Sequence, residues 1–109
     1  MSRPRDLVKG TLGLLILRTL ELEPRHGVAI ADRIAQITRG TFQVKAGSLF
    51  PALHRLEQEG AITGEWTVSE AGRRTKSYRL TAAGRRQLAA EKRDWARVVT
   101  AVGLVLDTD

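Results

Sequence analysis

The sequence contains no cysteine, which excludes a disulfide framework, a thiolate nucleophile and a cysteine-based zinc site. Its only histidines are His26 and His54, too few to build a metal centre without acidic partners around them, so no metal and no cofactor are expected. No apolar run is long enough to span a bilayer. The opening Met-Ser-Arg-Pro-Arg-Asp leads into an apolar stretch, but Lys9 and Arg18 lie within it and no cleavage site follows. A signal peptide is therefore not expected, and the chain is expected to be cytoplasmic. Catalytic motifs are missing too: there is no P-loop, no GxGxxG after a strand and no Ser–His–Asp arrangement in recognisable context. Glu57, Glu59, Glu65 and Glu70 are close in sequence, but the first two end a helix and the others flank a hairpin, so they read as solubilising charges. An enzyme is not expected. One further absence is positional: no acidic residue occurs from Ala71 through Ala90, in a chain of net charge +6. A solvated segment gains nothing from that bias and self-repulsion costs it stability, which points to a polyanion lying against it.

What is present is one domain's worth of chain, 109 residues, with a core that covers a modest fraction of its surface and would gain from self-association. Arginine greatly outnumbers lysine. That favours planar, bidentate contacts to phosphate or guanine over diffuse charge, although a basic balance also suits a membrane surface or polyanions in general.

Leu7 to Leu22 is expected to form a first helix with Asp6 as N-cap. Leu12, Leu14, Leu15, Ile16, Leu17 and Leu20 cover more than one of its faces, so it must be buried on more than one side. Gly10 and Gly13 permit close approach of a neighbour. Pro24 ends the segment, and Arg25-His26-Gly27 reads as a connection that His26 helps to fix. A second helix is expected over Val28 to Thr38, with Ile30, Ala31, Ile34 and Ile37 on one face. Gly40 breaks it, and Thr41-Phe42-Gln43-Val44 follows as a short extended link.

The stretch Lys45 to Gly60 organises the rest. Ser48 is placed as an N-cap, Pro51 in the first turn, and Gly60 as a left-handed stop. Leu49, Ala52, Leu53 and Leu56 make one apolar stripe. The opposite face shows His54, Arg55 and Gln58, with Lys45 just ahead of the helix. A short capped helix of this kind suits a DNA major groove, and with the preceding helix it makes a helix-turn-helix candidate.

The period then changes to that of strands. Ile62, Trp66 and Val68 alternate with Thr63, Glu65 and Thr67, and Tyr78 and Leu80 alternate with Ser77 and Arg79. Ser69 to Arg74 is the turn between them. Trp66 is expected in the core of this hairpin, and Arg73, Arg74 and Lys76 are expected to meet DNA phosphate or a minor groove. Thr81 caps a last helix, with Gly84 where a capping box would place Glu. Along it Leu88, Trp95, Val98, Val102 and Val105 follow a heptad-like seam, widened by Val99 and Leu106 and interrupted by Glu91.

These residues together resemble the PadR family of bacterial transcriptional regulators over nearly the whole chain. The matching pieces are Gly10-Thr11-Leu12 with Leu14-Leu15-Ile16-Leu17, His26-Gly27, Ser48-Leu49-Phe50-Pro51-Ala52-Leu53-His54-Arg55-Leu56-Glu57 with Glu59-Gly60, and Arg79-Leu80-Thr81 with Gly84. Phe50 stands where the family usually has Tyr, removing a phenolic contact to phosphate, and Val28 replaces a common aromatic. The resemblance implies a short family member: a mainly α (α+β) winged helix-turn-helix with a two-stranded wing and a single long C-terminal dimerisation helix. It further implies a homodimeric repressor, and in some members an aromatic compound bound between subunits.

Residues 1–80 are accordingly expected to be the DNA-binding part and 81–109 the dimerisation helix of one compact unit. Lys45, Ser48, Phe50, Pro51, His54, Arg55, Arg73, Arg74 and Lys76 are the candidate DNA contacts. Leu14, Leu88, Trp95, Val98, Val99, Val102 and Leu106 are the candidate dimer interface, and Trp95 is also the candidate wall of a pocket for a small planar apolar effector. The expected partners are a double-stranded operator and a second copy of the chain. A sequence-independent architectural DNA binder and a protein-interaction module using the last helix are the competing readings.

Overall fold

An N-terminal helix that is apolar nearly all round has to be surrounded, and in the computed structural model, which describes residues 4–109 with side chains from Gly10 onward, it is. This helix, α1 (Pro4–Leu22), buries Leu12, Ile16, Leu17 and Leu20. It is followed by β1 (Arg25–His26), α2 (Gly27–Ile37), α3 (Ala46–Gln58), β2 (Ile62–Val68), β3 (Arg74–Leu80) and α4 (Ala82–Leu106), and packs against α2, α3, β3 and α4. It starts ahead of the expected Leu7; the capping expected of Asp6 falls on a side chain outside the described residues. One core gathers Ile16, Leu17, Ile30, Leu49, Leu53, Leu56, Ile62 and Leu88, all fully buried. Each such side chain is worth about 1.5–3 kcal/mol relative to exposure.

Helix α2 ends by a left-handed exit. Arg39 has φ +52° and Gly40 φ +81°, and their amides return to the carbonyls of Gln36 (3.2 Å) and Ala35 (2.8 Å). The Thr38 hydroxyl donates to the Ile34 carbonyl at 2.8 Å and accepts from the Phe42 amide at 3.1 Å. That turns the chain into the link, where Phe42 and Val44 pack on the core.

Helix α3 starts earlier than expected. Lys45, with extended backbone, is the N-cap and makes no side-chain capping bond, while Ser48 is the third helical residue. The amides of Ser48 and Leu49 bond the Lys45 carbonyl at 3.0 and 2.9 Å, so Ser48 is not the cap. Pro51 therefore sits in the second turn and not the first, where its ring removes the amide that would meet the Gly47 carbonyl. The helix ends as expected. Gly60 has φ +79°, its amide bonds Glu57 at 3.0 Å and the Ala61 amide bonds Leu56 at 3.0 Å, the paired bonds of a Schellman stop.

The expected two-stranded wing is β2 and β3, and the short β1, which is not expected, joins it to make a three-stranded sheet in the order β1-β3-β2. β1 pairs Arg25 with Tyr78 and His26 with Ser77, and His26 Nδ1–H donates to the Lys76 carbonyl at 3.2 Å. Ile62, Tyr78 and Leu80 reach the core, but beyond Gly64 the hairpin overhangs it. Trp66 is 57% exposed and Val68 70%, so Trp66 is not a core residue.

Thr81 caps α4 as expected, its hydroxyl accepting from the Gly84 amide at 2.9 Å. A Cβ on Gly84 would lie 2.0 Å from the Ala61 carbonyl oxygen, which is why no Glu completes a capping box there. Leu88 inserts into the chain's own core at 1% exposure and has no surface left for a second subunit. Beyond Leu88 most side chains of α4 are exposed, and the molecule measures 60 × 28 × 23 Å.

Candidate nucleic-acid interface

With Leu49, Ala52, Leu53 and Leu56 buried, the roughly 100° step of a helix fixes the rest of α3. Gly47, Pro51, His54 and Gln58 form the middle of its outer face, and all four are exposed. Phe50 and Glu57 flank that face on the wing side, Ser48 and Arg55 on the side of α1. The contacts agree. A Cβ on Gly27 would meet the Phe50 ring at 3.0 Å, and one on Gly13 would meet the Arg55 guanidinium at 3.6 Å. Gly13 thus faces α3. Arg55 also lies 3.9 Å from Glu59, and with Ser48, Pro51 and Leu12 it lines a shallow groove of about 300 Å³. His54 and Gln58 are the side chains aimed outward, and Arg55 stands at the edge.

The wing is organised by its register. Gly64↔Tyr78, Trp66↔Lys76 and Val68↔Arg74 share one face, while Thr63↔Arg79, Glu65↔Ser77 and Thr67↔Thr75 share the other. On the first face the Arg74 guanidinium lies 4.8 Å over the Trp66 ring, and Lys76 lies 5.4 Å from the Tyr78 ring. Lys76 Nζ donates to Glu57 Oε1 at 2.8 Å, a bond that holds its ammonium above the usual lysine pKa. Burial pushes the neighbouring Tyr78 phenol up as well. Lys76 thus fastens the wing to α3. Gly64 leaves it room, since a Cβ there would lie 2.3 Å from Lys76 Cε. Arg73 stands exposed in a turn closed by Ser69, whose amide donates to the Arg73 carbonyl at 2.8 Å and whose Oγ accepts from the Arg73 amide at 3.2 Å.

Between α3 and the wing runs an open groove of about 350 Å³, lined by Phe50, Trp66, Tyr78, His26, Arg74 and Lys76 among others. Phe50 is thereby brought together with Arg74 and Lys76, while Lys45, exposed ahead of α3, is not part of this groove. Trp66 belongs to this surface although the sequence places it elsewhere. The signal that finds it is the hairpin register, which sets it diagonal to Arg74.

The expected seam on α4 is exposed: Trp95 41%, Val98 48%, Val99 52%, Val102 51% and Leu106 76%. Leu104, absent from the expected set, is 67% exposed. Leu14 is half-buried, and with Gly10, Thr11, Glu91, Asp94, Trp95 and Val98 it lines a groove of about 200 Å³ between α1 and α4. Among the described residues no group of three or more His, Asp or Glu side chains could hold a metal ion, and no helix is long and apolar enough to cross a membrane.

This arrangement matches known proteins. Residues 16–90 fit the model of the Transcriptional regulator PadR-like family. An uncharacterised protein of Lysinibacillus sphaericus is 32% identical over 103 residues, 94% of each chain. A transcriptional regulator of Mycobacterium tuberculosis is 33% identical over 82% of this chain and 79% of its own. The crystal structure of a PadR family transcriptional regulator from Eggerthella lenta superposes with a TM-score of 0.84 at 31% identity, covering 96% of this chain and 89% of that one. A model spanning residues 16–90, together with relatives of this identity over most of their length, makes the chain a transcriptional regulator of the PadR family.

Proposed function

We propose that the chain acts in the cytoplasm as a homodimer that binds a two-fold DNA operator sequence-specifically and represses transcription by occupying it. The observation that carries this reading is the joint surface of α3 and the wing. His54 and Gln58 project from the outer face of α3, Arg73 and Arg74 from the wing, and the Lys76–Glu57 bond holds the two at a set distance. A helix end presenting amide and imidazole edges reads bases, whereas guanidinium groups on a hairpin hold phosphate or enter a minor groove. Residues 1–80 supply this surface and residues 81–109 the dimer seam, through Trp95, Val98, Val99, Val102 and Leu106, with Leu14 at its edge. An apolar strip of that extent is larger than monomers usually expose.

The test is selection of bound fragments from genomic DNA, followed by titration of the recovered duplex and a random one over a range of salt. If each subunit neutralises about four phosphates, the log–log slope for the dimer is near −7. Arg73→Ala weakens both duplexes alike and flattens the slope. His54→Ala or Arg55→Ala changes the preference between them, by about 1–3 kcal/mol if a bidentate base contact is lost. Equal affinity for both duplexes would favour an architectural DNA binder, and no salt-sensitive binding at all would favour a protein-interaction module. Activation of a reporter promoter carrying the recovered site, in place of silencing, would overturn the repressor role.

A second reading concerns the groove beside Trp95. Glu91 Oε2 is buried there without a hydrogen-bond partner among the described residues, while Asp94 is already paired with Arg97. An indole beside a carboxylate with one oxygen unpaired among the described residues suits a planar cation better than the apolar compound expected, held between the two subunits and altering the spacing of their wings. Titrating planar cations against Trp95 fluorescence in a Trp66→Phe background tests it; compounds that neither quench Trp95 nor change operator affinity leave Trp95 a packing residue.

A further inference from the structure

We propose that Trp66 is a positioning residue of the DNA interface, holding the Arg74 guanidinium in the orientation in which it meets DNA; this deepens the DNA-binding reading and rests on it.

An indole that is 57% exposed on an overhanging hairpin contributes little to the core, and what distinguishes it from an ordinary exposed apolar residue is the pair of cations over its face. Two cations approach its face. Lys76 lies 5.7 Å from the ring centroid, but its ammonium is already bound to Glu57. Arg74 lies closer, at 4.8 Å, and forms no ion pair among the described residues. Among the described residues, the indole therefore engages the one cation of this face that keeps its charge available.

Stacking and hydrogen bonding use different parts of a guanidinium. When a guanidinium stacks, its flat face meets the ring, while the N–H donors lie in the edge plane and stay free for phosphate or a base edge. A long side chain at a hairpin end otherwise loses rotamer freedom when it binds. Holding it against a neighbour removes part of that loss beforehand. The register makes the contact intrinsic to the hairpin. Trp66 pairs with Lys76, so Arg74 is its diagonal neighbour on the same face, within reach of a ring as large as indole.

The test uses the full chain and a duplex recovered with it by selection from sheared genomic DNA. Trp66→Ala is expected to weaken binding about tenfold for two subunits, with the salt slope unchanged because no charge is lost. Trp66→Phe, which keeps a ring face, is expected to restore most of the affinity. Trp66→Leu, which keeps apolar bulk without a ring face, is expected to bind as the Ala variant does. Arg74→Ala is expected to weaken binding and flatten the slope, and adding Trp66→Ala to it to cost nothing further. A Trp66→Ala protein that binds as tightly as wild type would overturn the proposal, as would a Leu variant that restores affinity. A tenfold loss that persists without Arg74 would overturn it too, by showing that the indole itself touches DNA. The Phe and Leu variants decide the matter should Trp66→Ala fold poorly. Recovery of no duplex by the wild-type chain is the distinct result that removes the DNA reading, and the proposal with it.

Discussion

Lys76 Nζ and Glu57 Oε1 lie 2.8 Å apart, joining the return strand of the wing to the edge of α3. The bond to Glu57 raises the Lys76 pKa above its ordinary 10.5, and burial raises that of Tyr78 above its ordinary 10.0. Both groups hold their proton more tightly in the folded chain than in the unfolded one, so both contribute stability that is complete below about pH 10 and lost as pH rises through the folded values. Thermal melts between pH 8 and 11.5 should show a fall in midpoint confined to the alkaline end. Lys76→Met should remove part of that fall, and a fall of undiminished size in this variant would show that the tie is not what titrates.

Gly64→Ala disturbs the same tie without substituting either partner. The added Cβ would displace the flexible end of Lys76, a cheap movement, so stability should change by less than about 1 kcal/mol. The coupling between Glu57 and Lys76 in a double-mutant cycle, about 0.2–1 kcal/mol for a half-exposed pair, should vanish in the Gly64→Ala background. Undiminished coupling would mean that the lysine reaches Glu57 by another path.

Gly84→Ala should be far more damaging. Its Cβ would lie 2.0 Å from the Ala61 carbonyl oxygen and 2.8 Å from Leu80 Cδ1, and the backbone oxygen cannot swing aside. A cost of about 3 kcal/mol is expected, lowering the melting point by roughly 10 °C or more. A variant that melts within about 3 °C of wild type would contradict the close approach of α4 to the α3–β2 turn.

Arg39→Gly should stabilise the fold. Arg39 holds φ +52°, a left-handed conformation that costs a side-chain-bearing residue about 1–2 kcal/mol. Glycine removes that cost but loses more freedom on folding, leaving a net gain of about 0.5–1 kcal/mol. Urea denaturation reads this directly, and a lower midpoint in the variant would show that the arginine makes a compensating contact.

Val102→Asp should leave a folded monomer. Val102 is half exposed and belongs to the α4 strip, so the charge costs the free chain little while opposing its mate across a two-fold seam. Sedimentation equilibrium at micromolar concentration distinguishes the outcomes; a wild-type chain that is already monomeric there would refute the dimer.

Much of this fold is legible residue by residue because the chemistry that sets it is local. The stripe Leu49, Ala52, Leu53 and Leu56 is buried as its spacing demands, Gly60 is left-handed, Thr81 caps α4, and β2 runs from Ile62 to Val68. The failures have a common cause, which is that a pattern names partners without naming what lies opposite them. Alternation puts Ile62 and Trp66 on one face of β2, but the core beneath that face ends near Gly64. One helical stripe holds both Leu88 and Trp95, yet the first meets the chain's own core and the second meets solvent. Ser48 has the chemistry of a cap, but the Lys45 carbonyl has already begun the helix. Strand β1 is two residues held by Tyr78 and Ser77 from far along the chain, and nothing within Arg25-His26 announces it. At the candidate interface, Arg73 and His54 could be named from charge and spacing, whereas the employment of Lys76 by Glu57 appears only when wing and helix are brought side by side.

The elongated outline of the molecule gives small angles large consequences. With a long dimension of 60 Å, a tilt of about 5° at the free end of α4 carries a point at the far end through roughly 5 Å, more than the 3.4 Å that separates successive base pairs. In the proposed dimer, two such chains pivoting on their valines would form a caliper whose jaws change setting by a whole base-pair step while the hinge barely moves.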